Sequence, residues 1–93
     1  LYSFNGMKTV TEYLKNDMYS IVSGDTLSTI AVHKLPEDTK YAYALINGEE
    51  FDLIYDEESG CYNVSIEKKR LTDTQIEIIS VSASNITHYK KAE

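Results

Sequence analysis

The 93-residue sequence contains no tryptophan, one cysteine, one proline and four isolated glycines. A single cysteine excludes an internal disulfide framework and a cysteine-rich zinc site. Because no two glycines lie close together, a glycine-rich phosphate-binding loop is excluded as well. No apolar run approaches the roughly 20 residues that a transmembrane helix needs. We therefore expect no cofactor, no metal and no membrane partner.

Basic residues are scarce, since nine Lys and Arg stand against fifteen Asp and Glu and give a net charge of −6. Residues 1–60 carry eleven of the fifteen acids but only four of the nine basic residues. Such a surface repels phosphates over a Debye length of about 8–10 Å, which disfavours direct nucleic-acid binding. It favours a basic protein partner. Plain solubility is the alternative explanation of the same charge.

At 93 residues, the chain has the length of one small domain. Residues 1–6 precede Met7, and the segment beginning there is typical of a natural start. We interpret residues 1–6 as a remnant of cloning and 7–93 as a single domain. The alternative is an N-terminal edge strand that uses Tyr2 and Phe4. The unpaired cysteine and the lack of a secretory apolar segment favour a cytoplasmic location.

A capping-box pattern occurs near the start of the chain. Thr9 and Glu12 have the spacing at which each side chain reaches the other residue's backbone amide. The spacing of the apolar residues that follow predicts a short helix from Thr9 to Asp17. The apolar face of this helix would consist of Val10, Tyr13 and Leu14.

Alternating apolar and polar residues dominate the rest of the chain. Asn47-Gly48 between two alternating runs is the strongest short hairpin signal. It predicts a three-stranded antiparallel meander over residues 41–46, 51–55 and 62–66. Further strands are predicted at 19–22, 27–35, 75–84 with a bulge near Ile78-Ile79, and 86–89. Residues 27–35 and 73–82 also fit helical spacing.

Together these elements predict an α+β fold, in which the short N-terminal helix packs on an antiparallel β-sheet of about five strands. Tyrosine is abundant, with eight Tyr in the chain. Simple alternation places four of them on the inner face of the meander, namely Tyr41, Tyr43, Tyr55 and Tyr62. There they would join Leu45, Phe51, Leu53 and Val64.

The densest run of acids coincides with the second strand and second turn of the meander. Six acids fall within ten residues, without the Asp-x-Asp-x-Asp-Gly order of a calcium loop. We interpret the run as an acidic patch for a basic protein surface, with one tyrosine as an anchor. A merely solvated hairpin face is the alternative. The candidate partner-binding residues are Glu49, Glu50, Asp52, Tyr55, Asp56, Glu57 and Glu58.

Cys61, His33 and His88 are the only thiol and imidazoles in the chain. Their wide separation leaves any nucleophile-and-base geometry open, and three residues are fewer than the four ligands of structural zinc. We therefore predict that the protein is not an enzyme and has no catalytic residues.

These features favour a small, acidic, non-enzymatic binding protein. In its sharpest form, the protein is an inhibitor encoded by a phage or mobile element, anti-CRISPR proteins being of this size and charge class. Its carboxylates would stand in for nucleic-acid phosphates in a basic groove of a nucleic-acid-handling bacterial protein. The alternative is a structural or regulatory accessory domain that acts as a homo-oligomer, with a homodimer as its simplest form.

Overall fold

The computed structural model describes residues 8–71, 75–83 and 85–90, which form one curled, mixed sheet of eight strands. The strands are β1 (Lys8–Tyr13), β2 (Tyr19–Ser23), β3 (Leu27–Val32), β4 (Thr39–Ile46), β5 (Glu49–Asp56), β6 (Cys61–Glu67), β7 (Ile76–Ser82) and β8 (Asn85–Lys90). Two short 3-10 turns, Asn16–Met18 and Lys68–Leu71, accompany them. None of the described residues lies in a helix long and apolar enough to cross a membrane.

The strand order across the sheet is β1-β8-β7-β4-β5-β6-β3-β2. All neighbours are antiparallel except β1 and β8, which run parallel. The first and second strands of the chain therefore form the two opposite edges of the sheet.

A link of five residues, numbers 14–18, joins these two edges. Eight flat strands would separate the edges by about 34 Å, whereas the link can span only about 21 Å when fully extended. The sheet must therefore curl until its edges approach each other. The amide of Leu14 donates to the carbonyl of Lys90 at one edge, and Met18 accepts from the amide of His33 at the other.

The curl is concentrated at β5, which pairs with a different neighbour along each half of its length. Its first half pairs with β4 up to Leu53 opposite Ala42. Its second half pairs with β6, beginning at Ile54 opposite Asn63. We call β1, β8, β7 and β4 the β4 side of the sheet, and β6, β3 and β2 the β6 side.

The main core lies between the two sides and uses the inward-facing residues of both. Ile78 from the β4 side and Ile30 from the β6 side are fully buried, and burying each contributes roughly 1.5–3 kcal/mol. The side chains of Leu14 and Met18 complete the same cluster from the link. The other buried members are Val32, Ala42, Ala44, Ile46, Leu53, Ile66, Ile76 and Tyr89.

A second apolar cluster lies on the outer face of β4, β7 and β8. It consists of Tyr43, Leu45, Ile79, Val81 and Ile86, all buried. Because β4 is buried on both faces, its sequence is an almost continuous apolar run instead of a clean alternation.

The predicted α+β fold with an N-terminal helix is wrong, because the chain is nearly all β and residues 8–13 form β1. All six residues of β1 pair with β8, from Lys8 opposite Asn85 to Tyr13 opposite Lys90. Three β-branched residues stand at 9–11, and such residues lose side-chain freedom in a helix. Pairing with β8, at the far end of the chain, therefore favours a strand over the helix that the local capping pattern predicts. The sheet also has eight strands and not about five.

Other predictions are confirmed by the strands observed. The meander is present, and the predicted strands at 19–22, 27–35, 75–84 and 86–89 correspond to β2, β3, β7 and β8. Asn47 and Gly48 form the tight turn with φ of 52° and 86°, which a type I′ hairpin requires. The predicted bulge at Ile78-Ile79 is wrong, since the register shift lies on β4 between Thr39 and Tyr41.

The predicted inner face of the meander is half wrong. A two-residue turn pairs Ile46 with Glu49, which places Ala44, and not Tyr43, opposite Phe51. Tyr41 and Tyr43 therefore lie on the outer face. The interpretation of residues 1–6 and the helical alternative at 73–74 fall outside the residues that the structure describes.

Candidate functional site

Strand β5 carries the predicted acidic patch, but its alternation divides the candidates between two faces. Glu50 and Asp52 stand opposite Leu45 and Tyr43 on the outer face, and both acids are exposed. Glu49 is on the other face of β5, as Phe51 is, and both residues line a small cleft of about 280 Å³. Only the outer pair therefore forms a shared acidic surface on the strand.

Asp56 stabilises the turn that follows β5 by accepting three hydrogen bonds. Its carboxylate accepts hydrogen bonds from the amide of Glu58, at 3.3 Å, and from the hydroxyl of Ser59, at 2.9 Å. Its carbonyl accepts from the amide of Gly60 at 2.8 Å, and Gly60 adopts a φ of 71°. Asp56 thus has an internal structural role, and the turn holds Glu57 and Glu58 exposed.

The apolar residue on the acidic face is Ile54, whose side chain is 68% exposed. Tyr55 turns the other way, and its ring lies 5.0 Å from that of Tyr62 at an angle of 56°. The structure therefore separates the predicted anchor, Tyr55, from the acids. We call the surface formed by Glu50, Asp52, Ile54, Glu57 and Glu58 the acidic ridge.

The four acids of the acidic ridge differ in their charge partners from other acids among the described residues. Among the described residues, Glu50, Asp52, Glu57 and Glu58 form no ion pair, whereas Lys34 pairs with Asp17 and Lys69 with Glu67. The hydrogen bond and charge of Lys34 lower the pKa of the Asp17 carboxyl below its ordinary value. Among the described residues, no basic side chain compensates the charges of these four acids.

A cleft of about 680 Å³ opens where β4 and β5 part beyond Ala42 and Leu53, and residues from both faces of β5 line it. Tyr55 and Tyr62 line it, together with Tyr41 and Lys40. The residues completing it are Val32, Lys34, Leu35, Pro36, Glu37, Thr39, Leu53, Ile54 and Gly60. We call it the tyrosine cleft.

Tyr62 bridges the base of the tyrosine cleft. Its hydroxyl donates to the carbonyl of Thr39 at 3.3 Å, which ties β6 to the start of β4. Burial, and secondly the charge that Tyr55 would carry, raise the pKa of Tyr62 above its ordinary value. The hydroxyl of Thr39 is buried and has no partner among the described residues.

The pairing of β3 with β6 brings Cys61 next to His33. The thiol sulfur lies 2.9 Å from Nδ1 of His33, and Nε2 of the same ring lies 3.3 Å from the hydroxyl of Ser20. His88 is elsewhere, 2.6 Å from the carboxylate of Glu77. No three potential metal ligands converge anywhere in the described ranges.

Sequence reasoning named Cys61 and His33 but missed Ser20 as their third member. The register of β2, β3 and β6 brings the three side chains together, and no local spacing in the sequence encodes that register.

No protein-family model, curated protein or solved structure matches this chain.

The Tyr62 hydroxyl provides a pH-dependent test of this site. Because its pKa is raised in the folded protein, the folded state binds the phenolic proton more tightly than the unfolded state. The resulting stabilisation is present below about pH 10 and is lost as the pH rises through the folded pKa. Tyr62→Phe should cost about 1 kcal/mol at pH 8 through the lost hydrogen bond. It should lose less further stability between pH 8 and pH 11 than the unaltered protein.

Urea unfolding at the two pH values checks this prediction. Tyr13→Phe is the matched control, because that side chain is 68% exposed and should leave the pH dependence as it is. An equal loss of stability in Tyr62→Phe and the unaltered protein would contradict the assignment.

Proposed function

We propose that this protein is a non-enzymatic binding protein that docks on a basic surface of a nucleic-acid-handling protein through the acidic ridge. The observation that carries the proposal is the placement of Glu50, Asp52 and the exposed Ile54 on one face of β5. We further propose that it works in the reducing cytoplasm, where Cys61 would form no structural disulfide.

The spacing of the ridge suits a groove that binds phosphates. Side chains two residues apart on a strand are about 6.7 Å apart, which is twice the 3.4 Å axial step between phosphates of one nucleic-acid strand. Glu50 and Asp52 have this spacing, and Glu57 and Glu58 continue the negative charge past the end of β5. A groove lined with Lys and Arg would receive these carboxylates in place of phosphates.

Ile54 adds an exposed apolar side chain to the charges of the acidic ridge. Protein interfaces combine an apolar centre with a polar rim, and Ile54 lies between the strand acids and the turn acids. Its exposed side chain gives the ridge a contact that a nucleic acid lacks, and it takes the anchoring role that sequence reasoning had given to Tyr55. Charge complementarity would then accelerate encounter and set orientation.

Charge reversal on the ridge is the test of this function. The double variant Glu50→Lys and Asp52→Lys should lose a basic partner that the unaltered protein captures from a nuclease-treated bacterial lysate. With the purified partner, affinity should fall at least about tenfold, which corresponds to about 1.4 kcal/mol. The remaining binding should depend less on salt.

The matched control reverses Glu37 and Asp38, two exposed acids in the loop before β4. It changes the net charge by the same amount away from the ridge and should retain the partner. Equal loss in both double variants would mean that net charge and not the ridge carries binding. Equal retention in both would remove the ridge from the proposal.

A second candidate function, a homo-oligomeric accessory domain, is favoured by one observation. Strand β2 forms an edge of the sheet, and its Ile21 and Val22 are 41% and 67% exposed. Its five residues include no charge and no proline, the devices with which proteins usually protect an edge strand. Two copies could pair antiparallel along β2 and extend one sheet into the other.

Sedimentation tests this second candidate directly. If β2 pairs with itself, the unaltered protein sediments at twice its monomer mass of 10.6 kDa, and Val22→Lys sediments as a monomer. Thr29→Lys, a change on the neighbouring strand β3, is the control and should remain dimeric. A monomeric unaltered protein at all concentrations tested would exclude this candidate.

A further inference from the structure

Ser20, His33 and Cys61 form a continuous hydrogen-bonded chain on the outer face of the β6 side. Val32 stands opposite Tyr62 in the register of β3 and β6, so the next residue, His33, lies beside Cys61. Ser20, on β2, stands opposite Ala31 of β3, and its hydroxyl contacts Nε2 of the His33 ring. Three separate strands thus fix the geometry.

This order of groups is that of an activated nucleophile. With its proton on Nε2, the His33 ring donates to the Ser20 hydroxyl and presents the lone pair of Nδ1 to the thiol. A nucleophile within hydrogen-bond reach of a base, which is itself oriented by a third group, is the arrangement that activates cysteine in proteins.

The surroundings restrict what this thiol can react with. Cys61 is 9% exposed, and neither it nor His33 lines the clefts of about 680, 600, 450 and 280 Å³ found among the described residues. None of these clefts among the described residues therefore holds a large substrate beside the sulfur. The adjoining turn residues Ser59 and Gly60 are exposed, which leaves an approach for a small reagent.

We propose that Cys61 is a modification site that small hydroperoxides oxidise to sulfenic acid, with His33 as the base and Ser20 as a positioning residue. His33 takes the thiol proton, and the sulfur attacks one peroxide oxygen. The sulfur–oxygen bond forms as the oxygen–oxygen bond breaks. The sulfur takes the oxygen that bears the hydroxyl hydrogen, and the departing hydroxide or alkoxide takes the proton back from His33 and leaves as water or an alcohol. The thiol loses two electrons, and the peroxide gains them.

Reaction with hydrogen peroxide tests the proposal, with the sulfenic acid trapped by dimedone and counted by intact-protein mass spectrometry. At pH 7, Cys61 in the folded protein should react about ten- to thirtyfold faster than in the same chain unfolded in urea. This comparison uses the unaltered protein and needs no variant to fold.

Variants then identify the base. His33→Gln should bring the folded rate down to that of the unfolded chain, and Ser20→Ala should lower it about twofold to threefold. His88→Gln removes the chain's other imidazole and should leave the rate unchanged, while Cys61→Ser should give no adduct. A folded rate equal to or below the unfolded rate overturns the proposal. So does a folded His33→Gln variant that reacts as fast as the unaltered protein.

Discussion

The five residues 14–18 join the two edges of this sheet, and the shortness of this link forces the sheet to curl. Backbone hydrogen bonds tie the link to β8 at one end and to the residue after β3 at the other. The buried side chains of Leu14 and Met18 pack into the main core. This closure defines which face of every strand is inside. The positions of the acidic ridge, the tyrosine cleft and the Cys61 site are described relative to these inner and outer faces.

The curl is concentrated at strand β5, and the acidic ridge and the tyrosine cleft both lie along this strand, with Ile54 belonging to both. Where β5 leaves β4, the gap between the two strands becomes the tyrosine cleft, and Tyr62 spans its base. On the outer face, the same strand presents Glu50, Asp52 and Ile54. The β6 side, folded over by the same bend, carries the Ser20, His33 and Cys61 chain. One bent strand thus gives a small domain three chemically distinct surfaces.

Local patterns predict the strands of this protein well and its long-range pairings poorly. Asn47-Gly48 predicts the hairpin because both residues tolerate a positive φ, and alternation places β5 and β6 correctly. Residues 9–12 mislead, because the partner that makes them a strand lies more than seventy residues away in β8. The acids of the ridge could be named from the sequence. The proximity of Ser20 to His33 could not, because it depends on the register of three strands.

The most direct test of this account is the set of methyl-to-methyl nuclear Overhauser contacts across the core in solution. In a flat sheet, β3 and β4 would be three strand steps, or about 14 Å, apart. The curled sheet predicts that Ile30 and Val32 connect with Ala44 and Ile78, either directly or through Leu14 and Met18. Two separate networks, each confined to its own side of the sheet, would contradict the closure on which the fold depends.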